Sequence, residues 1–498
     1  MLDFSGQMSN KLDLLLINIG GTKKKVYQDL SKSFSAVEPP FWAALTAGFV
    51  RKKGYSVDIL DAGAENLDQK ETAEFIKNKN PNLAEIVVYS QQANVSTPIM
   101  YGVRELCFRI KSQEPNRKII LSGWHPSALP EKTMQEEKCD FVIEGEGFYS
   151  LEKLLENKKL NEIPGLWYRK NGKICSNPRE KNIEDLTSEL SNITWDLLPL
   201  TEKKYRAFNW LSLGKFETRN KFASLSTSLG CPYKCDYCAI HATFGERKIR
   251  YWKPEWVLKQ IDTLVQDYGI KHLKIIDELF IFNPKHYVPI VEGLIERDYG
   301  LNICAFARVD SVNNEKNFER LKKAGFNWIE LGIETGSDEI RKNVSKGNYS
   351  LADIKSSVKK IKDAGSNICG NFMFGLPGDT HGTMQKTLDL AIELNCEFPS
   401  FFCTMAVPGS DLYKKSVQNN LELPDSWIGY ASQGYEFLPL STKTLSPAEI
   451  LAFRDKAFNT YFTNPKYLNF IENKFGLESR RHIEDMTKIK LKRKILGD

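Results

Sequence analysis

Short apolar runs alternate with helix-like stretches over residues 1–160. The runs are rich in Leu, Ile and Val, which is typical of strands buried on both faces of a sheet. Between them, the stretch 39–53 begins with proline and is followed by Gly54, the usual punctuation of a helix. This alternation predicts a parallel, doubly wound, Rossmann-like sheet that binds its ligand at the carboxyl ends of the strands. The apolar runs are residues 14–19, 57–60, 86–89, 118–121 and 141–143.

The alternation restarts at residue 222, after a polar connector that contains several prolines. Successive strand and helix units predict a partial (β/α)6 barrel, with catalytic residues at the C-terminal ends of its strands. The alternation then stops, and Ser446-Pro447-Ala448-Glu449 has the residue types of a helix start. We therefore predict an α/β protein with four regions. They are a Rossmann-like domain (1–160), a connector (161–215), a partial TIM barrel (216–410) and a mainly helical C-terminal domain (411–498).

Composition and charge narrow the class of protein. Lys and Arg total 69 against 63 Asp and Glu, and they are spread along the chain, so we expect no nucleic-acid partner. No apolar run is long enough to cross a bilayer and the N-terminus has no signal-peptide core, so we expect a cytoplasmic protein without a membrane span. The ten cysteines are scattered over a long chain, so we expect no disulfide framework.

Three of those cysteines form the most specific motif of the chain. Cys231, Cys235 and Cys238 follow the first predicted barrel strand with the spacing C-x3-C-x2-C. Three thiolates suit an iron–sulfur cluster better than a structural zinc ion, which normally takes four ligands. A zinc site completed by His241 is the alternative. On a 4Fe–4S cluster, three ligands leave one iron open.

This segment resembles the cluster-binding loop of the radical S-adenosylmethionine (SAM) superfamily, in which an aromatic residue, here Tyr237, precedes the last cysteine. The order of the domains resembles the subgroup with an N-terminal cobalamin-binding domain, and the resemblance covers roughly residues 12–410. It implies a 4Fe–4S cluster, SAM bound at the open iron, cobalamin, and an external one-electron reductant such as flavodoxin or ferredoxin. It also implies that the reduced cluster cleaves SAM to a 5′-deoxyadenosyl radical.

Four further strand ends carry candidate SAM contacts. Asp277 and Glu278 have the charge to bind the SAM ammonium group, or else they form a pair at a helix N-terminus. Arg308 is a donor for a carboxylate or ribose, or else it pairs with the acid two residues later. The resemblance assigns a SAM contact to Glu334, whose alternative is to cap the next helix. Gly378 lies in a segment similar to the family's Gly-Leu-Pro-Gly, whose residue types also fit a plain turn.

The N-terminal domain lacks the D-x-H-x-x-G motif that supplies a histidine ligand to cobalt. The resemblance therefore implies cobalamin bound without such a ligand, as in many members of the subgroup. The loops 122–130 and 144–147 resemble those that hold the nucleotide tail and the corrin edge, and the run 38–42 is a candidate border of the corrin or a piece of core. His125 is a cofactor contact or a turn histidine. Candidate cofactor contacts are Gly20, Gly123, His125, Ser127, Glu144, Gly145, Glu146 and Gly147.

The resemblance implies a methyltransferase that methylates an unactivated carbon, less often phosphorus, of a small molecule through methylcobalamin and the 5′-deoxyadenosyl radical. The alternatives are a rearrangement or cyclisation without methyl transfer, and a non-catalytic corrinoid-responsive protein. A methylthiotransferase would carry a second set of three cysteines near the N-terminus, whereas Cys107, Cys139 and Cys175 are widely spaced. In the C-terminal domain, the candidates to line a substrate cavity, or else to pack in the core, are Trp427, Tyr430 and Tyr435.

Overall fold

The computed structural model describes residues 11–90, 92–312 and 315–498. Its strands are β1 (Leu14–Asn18), β2 (Val57–Asp61), β3 (Leu83–Val88), β4 (Lys118–Gly123), β5 (Phe141–Ile143), β6 (Leu166–Lys170), β7 (Lys173–Ser176), β8 (Phe222–Leu225), β9 (Ser228–Leu229), β10 (Arg250–Tyr251), β11 (His272–Ile275), β12 (Asn302–Arg308), β13 (Phe326–Glu334), β14 (Asn367–Phe374) and β15 (Phe398–Cys403).

The α-helices lie between and after these strands. They are α1 (Lys23–Tyr27), α2 (Phe41–Lys52), α3 (Gln69–Lys79), α4 (Met100–Gln113), α5 (Trp124–Ala128), α6 (Pro130–Glu136), α7 (Phe148–Leu155), α8 (Leu186–Glu189), α9 (His241–Phe244), α10 (Pro254–Gln266), α11 (Pro284–Arg297), α12 (Glu315–Lys323), α13 (Asp338–Asn343), α14 (Leu351–Asp363), α15 (His381–Leu394), α16 (Asp411–Gln418), α17 (Pro447–Phe462), α18 (Pro465–Phe475) and α19 (Leu477–Lys488).

The N-terminal sheet has the order β2-β1-β3-β4-β5-β6-β7. Strands β1 to β5 are parallel, and the apolar run of β1 is fully buried, as the prediction of a doubly wound sheet requires. The connector adds the antiparallel strands β6 and β7 to one edge. The sequence did not predict these two strands, because only Leu166 and Tyr168 of β6 are buried and such a short alternation does not stand out.

The second sheet has the order β15-β14-β13-β12-β11-β8, and all its strands are parallel. Among the described residues no pairing joins β8 to β15, so the barrel is open along one side. Strands β9 and β10 form a separate antiparallel pair beside the start of the cysteine segment. The predicted fold class, a Rossmann-like domain followed by a partial barrel and a helical C-terminal region, is confirmed.

The C-terminal region closes the open side of the barrel. Ser446 caps α17 in a capping box with Glu449, and α17 packs on β15. Behind it, Arg493 is 1% exposed, and its Nη1 donates to the carbonyl oxygens of Ser432 and Gly434. These bonds fix the last residues of the chain to the loop that contains Ser432 and Gly434. No helix in the described part of the chain is long and apolar enough to span a membrane.

Candidate active site

A single cavity of about 920 Å³ lies between the N-terminal sheet, the open barrel and the C-terminal region. Its volume is at the upper end of the range for small-molecule sites. One wall consists of the carboxyl ends of β1, β2 and β3, which is where doubly wound sheets bind ligands. The opposite wall contains Cys231, Cys235 and Cys238.

The cysteine segment leaves β9 through Gly230, whose φ is +97°. A Cβ atom at this glycine would lie 2.2 Å from the carbonyl oxygen of Lys248, so the turn requires glycine. Burial raises the pKa of the Cys231 thiol to about 12 and that of Cys238 well above its ordinary value. Thiols held in such surroundings become thiolates when a metal supplies the compensating charge. The segment therefore has the chemistry to hold an iron–sulfur cluster.

His241 does not face these thiols. Its Nε2 lies 2.7 Å from the carbonyl oxygen of Tyr233 and its Nδ1 lies 3.2 Å from that of Glu246. Among the described residues no three His, Cys, Asp or Glu side chains converge closely enough to hold a single metal ion. The ligands of a 4Fe–4S cluster each bind a different iron, so their sulfur atoms need not converge on one point.

The two acids after β11 have separate roles. Asp277 accepts hydrogen bonds of 2.6 Å from the backbone N–H and hydroxyl of Thr227 and from the hydroxyl of Ser228, so it organises the segment that leads to the cysteines. Glu278 instead lies on the cavity wall. Burial, with a smaller contribution from the charge of Asp277, raises the pKa of Glu278 to about 7. Neither acid caps the next helix, α11, because Asn283 does so.

Arg308 lies at the end of β12 and on the cavity wall. It forms the predicted ion pair with Asp310, with a contact of 2.8 Å, and its guanidinium stacks 3.6 Å from the centre of the Tyr233 ring. Its Nη1 also lies 3.6 Å from the Sγ atom of Cys235. The salt bridge and a position facing the cysteines are therefore compatible.

Glu334 ends β13 with a φ of +67°, a left-handed conformation that is strained for a side chain of this kind. Its Oε1 lies 2.6 Å from the Nζ atom of Lys346, and both side chains line the cavity. It is not a helix cap, since Ser337 caps α13. Beside this pair, the hydroxyl of Tyr237 is buried and has no hydrogen-bond partner in the described part of the chain. Sequence reasoning missed Lys346, which no motif marks.

Gly378 lies outside the cavity wall, in a turn with a φ of +92° that faces Ile340 and Asn343. Gly20 is also behind the wall, because a Cβ atom there would lie 2.4 Å from the carbonyl oxygen of Ala62. Its neighbours on the β1 loop do face the cavity, as does the run 38–42. Polar side chains from β1 and β3 suit the amide groups around a corrin ring. They are Asn18, Thr22, Lys23, Ser90 and Gln92.

The loop after β4 packs against the C-terminal region. His125 is 2% exposed, with Nδ1 3.2 Å from the Thr97 hydroxyl and its ring 4.4 Å from that of Trp427. Burial lowers the pKa of His125 to about 3, so the ring is neutral. Gly123 is required in its position, since a Cβ atom there would lie 2.3 Å from the carbonyl oxygen of Val88. Ser127 accepts a hydrogen bond from the backbone N–H of Gly145 across to the next loop.

The loop after β5 contacts the barrel. Glu144 accepts from the indole N–H of Trp167 at 2.9 Å, and Glu146 forms a buried ion pair with Arg250. The carbonyl of Gly145 accepts from the hydroxyl of Tyr89, and Gly147 precedes α7 with a φ of +82°. None of the predicted residues of the two loops is on the cavity wall, so their cofactor contacts stay predictions.

Only Tyr430 of the three C-terminal aromatic candidates lies on the cavity wall in the described structure. Trp427 packs on His125 and donates to Glu136 at 3.1 Å. Tyr435 is 42% exposed, and its hydroxyl donates to the backbone carbonyl of Asp498. Substrate contacts by Trp427 and Tyr435 likewise stay predictions.

Two family models match the chain. The B12 binding domain matches residues 28–155, and the radical SAM superfamily matches residues 225–391. Among curated proteins, an uncharacterized methyltransferase of Pyrococcus horikoshii is 28% identical over 86% of this chain and 89% of its own. The anaerobic magnesium-protoporphyrin IX monomethyl ester cyclase of Rubrivivax gelatinosus is 24% identical over 91% of this chain and 79% of its own.

Two solved structures share the fold. The radical S-adenosylmethionine methyltransferase TsrM of Kitasatospora setae, with cobalamin and a [4Fe-4S] cluster bound, has a TM-score of 0.68 at 16% identity, over 92% of this chain and 89% of TsrM. The cobalamin-dependent S-adenosylmethionine radical enzyme OxsB has a TM-score of 0.66 at 17% identity, over 96% of this chain and 72% of OxsB. The match in fold extends over both α/β domains and the C-terminal region.

Proposed function

We propose that this chain is a cobalamin-dependent radical SAM enzyme and that it transfers a methyl group to an unactivated carbon of a small molecule. The matches to a B12 binding domain and to the radical SAM superfamily in one chain support this proposal. One observation carries the proposal. A single cavity is bounded by the cysteine segment on one side and by the carboxyl ends of β1 to β3 on the other. Both cofactors therefore have access to one substrate.

Different residues around this cavity would hold the different cofactors. Cys231, Cys235 and Cys238 would hold the 4Fe–4S cluster, and the SAM would lie against Glu278, Arg308 and Glu334. The cobalamin would lie over the β1 and β3 loops. When bound, the cluster and SAM supply a carbon-centred radical, and cobalamin supplies the methyl group.

The apolar part of the wall has a chemical function as well. Ile276, Phe306 and Met373 line the barrel end of the cavity and exclude water from the reacting atoms. A radical that removes hydrogen from an unactivated carbon also removes it from unintended groups, so a closed cavity protects the reaction. Arg454 and Asp455 of α17 add polar groups on the open side of the barrel, next to the substrate's path.

The relatives support methyl transfer. The Pyrococcus horikoshii protein is named a methyltransferase and is similar over most of both chains. Ring formation without methyl transfer is the second candidate, because the Rubrivivax gelatinosus relative is named a cyclase and its similarity extends over 91% of this chain. The two reactions differ in their products. Methyl transfer from SAM releases S-adenosylhomocysteine, whereas radical formation alone releases 5′-deoxyadenosine.

The test is anaerobic reconstitution with iron, sulfide and hydroxocobalamin, followed by metal analysis and product analysis with dithionite as the reductant. In the cell, we propose, a flavodoxin or ferredoxin takes the place of dithionite. We expect about four irons and one cobalt per chain and S-adenosylhomocysteine among the products. Iron without cobalt, or 5′-deoxyadenosine without S-adenosylhomocysteine in the presence of substrate, would contradict methyl transfer.

A pair of cysteine variants makes the test specific. Cys235→Ala removes a cluster ligand and should abolish iron binding and SAM cleavage. Cys175→Ala is the matched control, because Cys175 lies on β7 at the far edge of the N-terminal sheet, away from the cavity. The control should retain the iron, the cobalt and the products of the unmodified protein.

A further inference from the structure

A group of charged side chains lies inside the open barrel, below the residues that face the cysteines. Lys274 of β11 and Glu330 of β13 are 3% and 6% exposed, and the Nζ atom of Lys274 lies 3.0 Å from Oε1 of Glu330. The rings of Phe208 and Phe306 flank the ammonium group, with centres at 4.1 and 5.0 Å. Burying charges this deep in a barrel costs desolvation free energy, which only pairing and hydrogen bonding repay.

Glu38 reaches the same group from the N-terminal domain. It precedes α2, accepts a hydrogen bond of 3.4 Å from the hydroxyl of Ser224 on β8, and has its accessible surface on the cavity wall. Burial raises the pKa of Glu38 to about 7, and the charge of Lys274 opposes that rise. Tyr27 of α1 lies close enough for the charge of Glu38, after burial, to contribute to a pKa of about 12 for its phenol.

We call Glu38, Lys274 and Glu330 the barrel triad. All three side chains line the same cavity as the cysteines. The triad has more hydrogen-bond acceptors than donors. The hydroxyl of Ser224 donates to Oε2 of Glu38, and the ammonium group of Lys274 contacts Oε1 of Glu330. One ammonium group contacts Glu330 and lies near Glu38, so the triad is short of one positive charge when both acids are ionised.

These features select the chemistry of a ligand. An anionic group would add a third negative charge beside two carboxylates in an apolar barrel, which is strongly unfavourable. A group with several N–H donors and a positive charge would form charge-assisted hydrogen bonds to both carboxylates. It would also lie against the aromatic rings that flank Lys274, which favours cations.

We propose that the barrel triad is the subsite for a protonated amine or guanidinium group of the substrate. The substrate class is thus an amine, held at its cationic end by Glu38 and Glu330 while the rest of the molecule extends toward the cysteines. This inference rests on the proposed function, because it names the substrate of that same cavity. Lys274 holds Glu330 in position through their contact of 3.0 Å, while Glu38 supplies the second acidic group.

The proposal predicts a coupling between ligand and proton. The groups that face Glu38 are Lys274 of β11, Glu330 of β13, Tyr27 of α1 and Ser224 of β8. Among these groups, Glu38 is the one whose pKa burial raises to about 7. A bound cation favours its ionised form, so the affinity for amines should rise by about tenfold between pH 6 and pH 8.

The probes are benzylamine, phenethylamine and phenylpropylamine, each with the alcohol and the carboxylate of the same length. Binding to the anaerobically reconstituted protein is measured by calorimetry at pH 6, 7 and 8. We expect at least one amine to bind about tenfold more tightly than its alcohol and its carboxylate. Glu38→Gln should remove the pH dependence of binding and weaken the binding of that amine by about tenfold.

Glu296→Gln is the matched control, because Glu296 is exposed on the outer helix α11. It should bind the amine as the unmodified protein does, and iron and cobalt contents report that both variants are folded. A preference for the carboxylate, no preference among the three classes, or an unchanged affinity in Glu38→Gln would overturn the proposal.

A separate assay distinguishes this inference from the proposed function. S-adenosylhomocysteine release by the unmodified protein tests methyl transfer without reference to the triad. Release without any preference for amines would retain the proposed function and reject the amine subsite. A preference for amines without release would retain the subsite and reject methyl transfer.

Discussion

Glu146 and Arg250 form a buried ion pair between the N-terminal domain and the barrel domain. Their side chains are 1% and 4% exposed, and Nη1 of Arg250 lies 3.1 Å from Oε2 of Glu146. The backbone N–H of Ile183 donates to the same oxygen at 3.0 Å. Arg250 belongs to β10, which pairs with β9 directly before the cysteines. The pair thus connects the loop after β5 to the support of the cysteine segment.

Removing the charge of Glu146 should destabilise this boundary strongly. Glu146→Gln leaves the Arg250 guanidinium buried without its counter-charge, which costs about 3–5 kcal/mol. We expect that loss in the free energy of the first unfolding transition in guanidinium chloride. Glu144→Gln is the control, because Glu144 is partly exposed, lies 3.7 Å from Arg179, and should cost less than about 1 kcal/mol. Equal losses in the two variants would mean that the buried pair has no special role.

We expect Gly332, two residues before Glu334, to be required for normal SAM binding. A Cβ atom at Gly332 would lie 2.8 Å from Nζ of Lys346 and 2.9 Å from Oε1 of Glu334, so the pair must shift. Gly332→Ala should therefore weaken SAM binding by about tenfold, because one displaced charged contact has that effect. Equilibrium dialysis with radiolabelled SAM measures this change.

Gly382→Ala is the control for that variant. Gly382 lies in the first turn of α15, and a Cβ atom added there would lie 3.7 Å from Oγ1 of Thr380, which is an ordinary van der Waals contact. It should bind SAM normally and gain slight stability from the helix propensity of alanine. If both glycine variants bind SAM like the unmodified protein, Glu334 and Lys346 do not hold SAM.

His125 should make the protein less stable in mild acid. Its folded pKa of about 3 lies below the ordinary value of 6.5, and burial is the main cause. Above pH 6.5 both states are neutral, so His125 contributes no pH dependence. Below that pH the unfolded chain binds a proton that the folded protein excludes, and stability is lost. Between pH 7 and pH 5 this loss is about 2 kcal/mol.

The check compares pH profiles of the free energy of unfolding. His125→Asn should flatten the profile by about 2 kcal/mol over this interval, whereas the exposed variant His381→Asn should leave it unchanged. The buried His272 and His286 and the partly buried His482 also have lowered pKa values, so the difference between variants is the informative quantity. An unchanged slope in His125→Asn would mean that this ring is protonated in the folded protein.

The strands of the two parallel sheets were predicted well from the sequence and the cysteine segment was easy to recognise, because both are local patterns. An apolar run such as that of β1 is visible without knowing its neighbours, and three cysteines within eight positions need no folding to be noticed. Glu38 and Glu330 are separated by almost three hundred positions, and only the fold brings them to one cavity. Lys274 and Glu330 each lie between apolar residues, a pattern that indicates an outward-facing position in an ordinary sheet. In this open barrel the same positions face the interior, where Lys274 and Glu330 line the cavity.

The pair of Lys274 and Glu330 should behave as a coupled unit. Lys274→Met leaves a buried carboxylate without its cation, and Glu330→Gln leaves a buried cation with only Glu38, so each change should cost about 3 kcal/mol of stability. The double variant removes both charges and should cost no more than either single one. The free energy of coupling, from a double-mutant cycle by chemical denaturation, should be about 3 kcal/mol.

The exposed pair of Lys488 and Asp485, with side chains 73% and 60% exposed, should give about 0.5 kcal/mol in the same cycle. Additive losses at Lys274 and Glu330 would show that the barrel triad is hydrated enough to screen its charges, and a hydrated triad would not select a cation by charge.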